Sequence, residues 1–318
     1  MKRRPYILLP LLLPFTAFAQ SDFDFTQRWL KQAVYNPAAA GSNFYTRVSV
    51  HGRQQWAGMD GAPTTGAIAF DAFIPQVNSG IGFTTMADKI GFTRTYNPRI
   101  IYAYHIPLTA QSVLSFGVSG GVLVRHQDAN GAIVDDLNDP QLYYGNVTEY
   151  TPDFDFGFEY QGKFRLGGAV RHIGLQPSSN NLPHNSINVW VYASTRLNRI
   201  NRMSIEPIAA YVHREGVNSY EAGAIVYLLR SSHIRRFNDW AWVGGTFRYR
   251  HHFSVMAGVY VTPQLSLGYS FDYGITDLSK LTKFGTHELS LSYKFSSLFQ
   301  KFIPCAAFGK SDKMHRFW

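Results

Sequence analysis

A single cysteine, Cys305, stands in the whole sequence, so no intrachain disulfide can staple this chain. No segment reaches about 18 consecutive apolar residues, which excludes membrane-spanning helices. Charge is scarce: Asp, Glu, Lys and Arg make up 16% of the residues. The formal net charge of +9 falls to +6 once Lys2, Arg3 and Arg4 are set aside. That balance is too small for a nucleic-acid binder and excludes nucleic acid as a partner.

Those three cations open a stretch that reads as an export signal over residues 1–19. The apolar core runs from Ile7 to Leu13 with Phe15, and Ala17-Phe18-Ala19 supplies a small-x-small cleavage site. Gln20 follows the cleavage site, so the lipoprotein cysteine is also missing. What the chain does have is aromatics, at 15%, and abundant glycine. With low charge, this composition suits a barrel whose outside faces lipid between aromatic girdles.

The pattern of residues 286–296 supports that reading. Leu289, Leu291, Tyr293 and Phe295 alternate with Glu288, Ser290, Ser292 and Lys294, the period of a strand with one apolar and one wet face. Fourteen segments read as strands: 45–53, 64–74, 79–87, 95–105, 112–126, 150–160, 163–172, 186–197, 201–212, 219–229, 240–250, 252–261, 263–273 and 286–296. Most have the length of about ten residues that crosses a bilayer when tilted. A soluble β-sandwich would also alternate, but it would have to hide this many Phe and Tyr inside.

The expected fold is therefore all-β: a single transmembrane antiparallel up-and-down barrel of about 14 strands in the outer membrane, its lumen filled by polar and charged side chains. In the segment 150–160, Asp153, Asp155 and Glu159 face the lumen, and in 163–172 Lys163, Arg165 and Arg171 do so. A turn at Gln161-Gly162 makes these ladders neighbours, acid against base. Long connections at 127–149, 173–185 and 274–285 fall on one rim, taken as extracellular. Two connections break that rule, 251 being too short and 230–239 too long. Residues 20–44 are expected as a periplasmic segment outside the barrel 45–296. Residues 297–318 are expected as a basic tail.

No motif carries catalysis, a cofactor or a metal convincingly. Gly117-Val118-Ser119-Gly120-Gly121 matches the nucleophile elbow but sits inside a strand with no helix after it. The stretch Gly157 to Phe164 lacks the Ser or Thr that a P-loop needs at its last position. His287-Glu288 lacks a zincin's second histidine, and His251-His252 point to opposite faces. Asp128, Asp135, Asp136 and Asp139 read as a solvated acidic loop rather than a calcium loop.

Several phrases together resemble the PorP/SprF family of Bacteroidetes outer-membrane proteins. They begin with Tyr35-Asn36-Pro37-Ala38 and Gly41-Ser42, then Arg53-Gln54-Gln55-Trp56, Gly58 and Gly61-Ala62-Pro63-Thr64. Tyr102-Ala103-Tyr104-His105, Pro152-Asp153-Phe154-Asp155-Phe156-Gly157, Gly244-Gly245-Thr246-Phe247-Arg248 and Gly285-Thr286-His287-Glu288 continue the likeness. The tail beyond Phe295 is longer than the family would suggest. The resemblance implies a non-enzymatic barrel without cofactor, linked to type IX secretion and gliding motility. Its partners would be outer-membrane lipids, periplasmic ring and peptidoglycan-linked secretion components, and a large adhesin with a C-terminal sorting domain. The main alternative is an outer-membrane channel for small solutes.

Asn36, Pro37, Arg53, Gln54, Trp56 and Pro63 form the candidate structural or partner-contact motif. Arg53 is expected to bridge a lumen carboxylate such as Asp71. Trp56 suits the membrane interface or a partner's pocket.

Overall fold

A computed structural model describes residues 24–30, 32–128, 146–174, 187–200, 202–214, 216–231, 237–275 and 284–295. The expected signal, the acidic positions Asp135, Asp136 and Asp139, and the tail lie outside the described residues.

Fifteen strands form one antiparallel sheet. They are β1 (Thr46–Gln54), β2 (Thr64–Ile74), β3 (Ser79–Ile90), β4 (Thr93–Thr109), β5 (Ser112–Asp128), β6 (Asn146–Gln161), β7 (Arg165–Arg171), β8 (Asn188–Ser194), β9 (Leu197–Ile200), β10 (Met203–Arg214), β11 (Val217–Ser231), β12 (Phe237–Arg248), β13 (His252–Tyr260), β14 (Leu265–Gly274) and β15 (Thr286–Phe295). β8 and β9 are one interrupted stave: β8 pairs with Ile208–Arg214 of β10, and β9 pairs with Met203 and Ile205 of the same strand. β1 pairs with β15 from Thr46↔Phe295 to Gln54↔His287, which closes the sheet. The result is a closed 14-stave barrel with both ends of its wall at one rim. Closure leaves no sheet edge, as a bilayer requires.

Alternation sets the two faces. On β4, Tyr96, Ile100, Tyr102 and Tyr104 are exposed, while Asn97, Arg99, Ile101, Ala103 and His105 are buried. On β14 and β15, Leu267, Tyr269, Leu289 and Leu291 face out, and Ser270, Asp272, Glu288 and Ser290 face in. Long connections, 55–63, 129–145, 172–187 and 275–285, share one rim. The other rim carries 75–78, 110–111, 162–164, 201–202, 232–236 and 261–264. The connection expected at 230–239 is thus a short one, because β11 and β12 extend further than their apolar patterns suggest.

The lumen is not polar throughout. Trp190, Tyr192, Ile208, Val212, Ile225, Tyr227, Trp242 and Met256 line its β8–β13 side and are buried. They pack against Phe25, Trp29, Val34 and Tyr35, residues that precede the first strand.

Residues 24–44 therefore do not form a separate periplasmic segment. Three short 3-10 turns, Thr26–Leu30, Gln32–Val34 and Pro37–Ala39, thread the lumen as a plug. Asp24 lies beside Arg248 at the long-connection end, and Gly41 lies beside Asp71 toward the short-turn end, where the chain enters β1. Aromatic burial drives this placement. Outside the barrel, Phe25, Trp29 and Tyr35 would face water; inside, each is about 95% or more buried.

Candidate functional site

The plug and the wall that grips it form an extended network of polar groups. Toward the long-connection end, Glu288 of β15 caps the first turn. Its carboxylate accepts the Thr26 N–H at 2.7 Å and the Gln27 N–H at 3.1 Å. A 3-10 turn leaves its first amides unpaired, and a carboxylate is the strongest acceptor for them. Thr26 Oγ1 donates to Asp272 at 2.7 Å, and Ser290 Oγ donates to Gln27 Oε1 at 2.6 Å.

Arg53 sits between these acids, 2.8 Å from Asp272 and 3.3 Å from Glu288, and donates to Thr26 Oγ1 at 3.0 Å. Its partner is thus not Asp71, which pairs with Arg47 at 3.0 Å. The reason is closure: Arg53 is directly opposite Glu288 across the β1–β15 seam, and Arg47 is directly opposite Asp71 on β2.

A second anchor uses the plug's own charges. Arg28 pairs with Asp24 at 2.5 Å and with Glu221 of β11. Glu221 also accepts the Trp29 indole N–H at 2.7 Å and Arg248 at 2.8 Å, and Arg248 returns to Asp24 at 2.5 Å. Arg28 and Glu221 are buried, so their mutual pairing and extra hydrogen bonds offset a large desolvation cost.

The lower plug docks by backbone contact. Asn36 caps the Pro37–Ala39 turn by accepting the Ala38 N–H at 3.0 Å, and its amide donates to Phe158 O and Tyr192 Oη at 3.0 Å each. Pro37 occupies the first position of the turn, where a missing N–H costs nothing. Glycines on the wall make room: a Cβ at Gly117 would overlap the Ala38 backbone, one at Gly157 the Asn36 carboxamide, and one at Gly80 the Ala40 carbonyl. Gly117 and Gly157 stand in the motifs quoted above, but what approaches them is defined only by the folded barrel.

The charge ladder of β6 and β7 forms in part, Arg171 pairing with Asp155, and it draws in partners beyond these two strands. Asp155 pairs with Arg99 of β4 and accepts Ser119 Oγ at 2.9 Å, while Arg171 stands 3.9 Å away. Asp153 is bonded to Asn97 at 2.6 Å and His172 at 3.0 Å, and Glu159 to Gln161 and Tyr192. Arg165 donates to Gln32 of the plug at 2.7 Å. Lys163 does not face the lumen. Gln161 pairs with Arg165, so the turn occupies 162–164 and Lys163 is exposed in it.

Asp153, Asp155 and His172 bring three donor atoms within 4.8 Å of one another. A cation there would have to displace Arg99, which already neutralises Asp155. Ser119 is committed to the same carboxylate, so the elbow-like motif serves wall packing. Of the remaining motif residues, Gln54 accepts from Thr64 at 2.7 Å near the long-connection rim. Trp56 (φ 48°) donates its N–H to Thr286 at 3.3 Å in the following loop. Pro63 O accepts the Gln55 N–H at 2.9 Å.

The profile of type IX secretion system membrane protein PorP/SprF matches residues 17–293. The chain belongs to the PorP/SprF family. Its barrel is a type IX secretion membrane component of the outer membrane. No curated protein matches the chain. Among solved structures, the barrel is similar to the CymD monoaromatic hydrocarbon channel, with 11% identity, a TM-score of 0.50, and coverage of 87% of this chain and 94% of that one. It is also similar to the TodX deltaS2S3 mutant monoaromatic hydrocarbon channel, with 9% identity, a TM-score of 0.50, and coverage of 83% and 93%. At such identities the likeness is one of fold.

Proposed function

We propose that this PorP/SprF barrel is a non-enzymatic docking scaffold. It would hold periplasmic parts of the type IX secretion and gliding machinery at the outer membrane, or serve export and surface attachment of a partner adhesin. The observation that carries this reading is the filled lumen. Residues 24–44 occupy it with aromatic packing along β8–β13 and buried ion pairs toward the long-connection end. A water-filled conduit for polar solutes needs an open path, whereas a filled barrel offers fixed rims for docking.

The motif Asn36, Pro37, Arg53, Gln54, Trp56 and Pro63 then acts through internal structure. Asn36, Pro37 and Arg53 seat the plug, and Gln54, Trp56 and Pro63 order the adjacent rim. The test is affinity capture of the tagged full-length barrel from detergent-solubilised outer membranes, with mass spectrometry of what accompanies it. Recovery of periplasmic ring proteins or a large sorting-domain adhesin is expected. A barrel recovered alone, and conducting ions, would overturn the scaffold and leave a channel.

A further inference from the structure

Near the long-connection rim, the lipid-facing side of the wall carries a cationic row. Lys89 of β3 is directly opposite Arg94 of β4, and Arg94 is directly opposite His126 of β5. Thr64 of β2 flanks Lys89, and Thr148 of β6 flanks His126. Lys89 and Arg94 are exposed on the outward face, His126 half-buried beside them. Neighbouring strands lie about 4.8 Å apart, so the three basic groups fall within roughly 10 Å.

Two cations directly opposite on one face destabilise a β pair unless an anion lies between them. Among the described residues, no carboxylate forms an ion pair with Lys89 or Arg94. Asp88 points inward, bonded to Thr65 at 2.5 Å, and Asp128, exposed on the same outward face, stands two residues beyond His126 toward the rim. His126 Nδ1 is 2.8 Å from Thr148 Oγ1. With that hydroxyl donating, the ring proton sits on Nε2, available to an acceptor in front of the row.

The level of this row identifies the anion. Two residues toward the barrel's waist, the outward positions are Ala87, Tyr96, Val124 and Tyr150, in consecutive register. Tyr96 and Tyr150 are exposed, as in an interfacial aromatic girdle. The cations therefore stand just beyond the girdle, facing the lipid headgroups of the leaflet on the long-connection side. We propose that Lys89, Arg94 and His126 bind a phosphate of a phosphorylated glycolipid in that leaflet. The acyl chains of this lipid would lie against the apolar band below, on Ile100, Val118 and Phe154.

The test uses the full-length barrel in phosphatidylcholine nanodiscs, titrated with diphosphoryl lipid A, with its dephosphorylated form and with inorganic phosphate. Diphosphoryl lipid A is expected to bind at least about 10-fold more tightly than the dephosphorylated form. The variant K89Q/R94Q should lose about 5-fold per cation, near 25-fold in all. Inorganic phosphate at equal concentration should leave the barrel's thermal transition unmoved. If the double variant does not reach the heat-modifiable folded form, K89Q and R94Q are read singly at about 5-fold each. Equal affinity of wild type and variants, equal affinity for the dephosphorylated lipid, or equal stabilisation by inorganic phosphate would each overturn the proposal.

Discussion

Replacing Glu221 with alanine removes the acceptor shared by Arg28, Trp29 and Arg248. Asp24 remains to pair with both guanidinium groups, but Arg28 is buried and loses its shortest contact. Breaking a buried ion pair from one side costs about 3–5 kcal/mol. At about 1.4 kcal/mol per decade, the plug's outer half should open at least roughly 100-fold more often. Hydrogen exchange reads this directly, because the Thr26 and Gln27 amides are bonded to Glu288 only while the plug is seated. Protection of residues 24–30 should fall by that factor in E221A, while heat-modifiable migration shows the barrel wall still closed. E221Q, which keeps an acceptor oxygen but no charge, should fall between. Unchanged protection in E221A would show that the ion-pair cluster does not hold the plug.

Gly80→Val should strain the plug's lower half, since a side chain there meets the Ala40 carbonyl and His105; a cost of about 1–3 kcal/mol would appear as a lower unfolding midpoint. Ser119→Ala removes one hydrogen bond to the Asp155 carboxylate and should destabilise by about 1.5–3 kcal/mol, with hydrolysis of a generic ester indistinguishable from that of the wild-type barrel. In the 249–251 hairpin, burial and then the charge of Arg248 hold the His251 imidazole below its usual 6.5. Its contribution to stability is complete above pH 6.5 and is lost as the pH falls through the lower folded value. Proton resonances of His251 should titrate below 6.5 and move upward in R248Q; a midpoint at or above 6.5 in the wild-type protein would contradict this.

The wall was largely legible because lipid imposes a strict period of two. On β5, β6 and β14 the outward sets Phe116 and Val118, Phe154 and Phe156, and Leu267 and Tyr269 alternate with small or polar residues. The plug escaped detection because single 3-10 turns have no hydrophobic period to reveal them. A signal was nevertheless present. Val189-Trp190-Val191-Tyr192, Ile225-Val226-Tyr227-Leu228-Leu229 and Ala241-Trp242-Val243 are apolar on both faces. Strands apolar on both faces are covered on both faces, and in a lipid-embedded barrel the inner cover must be protein. The partner of Arg53 was hidden for another reason. It depends on the pairing of first strand with last, which only closure defines. Lys163 was misplaced by a turn residue more than expected, since Gln161 belongs to the ladder.

The central claim is that the barrel's own residues 24–44 fill its lumen, and single-channel recording in a planar bilayer tests it most directly. The full-length barrel should insert without steady conductance, and a variant lacking residues 24–41 that still folds should open a stable conductance. A full-length barrel that conducts as steadily as the deletion would contradict the account.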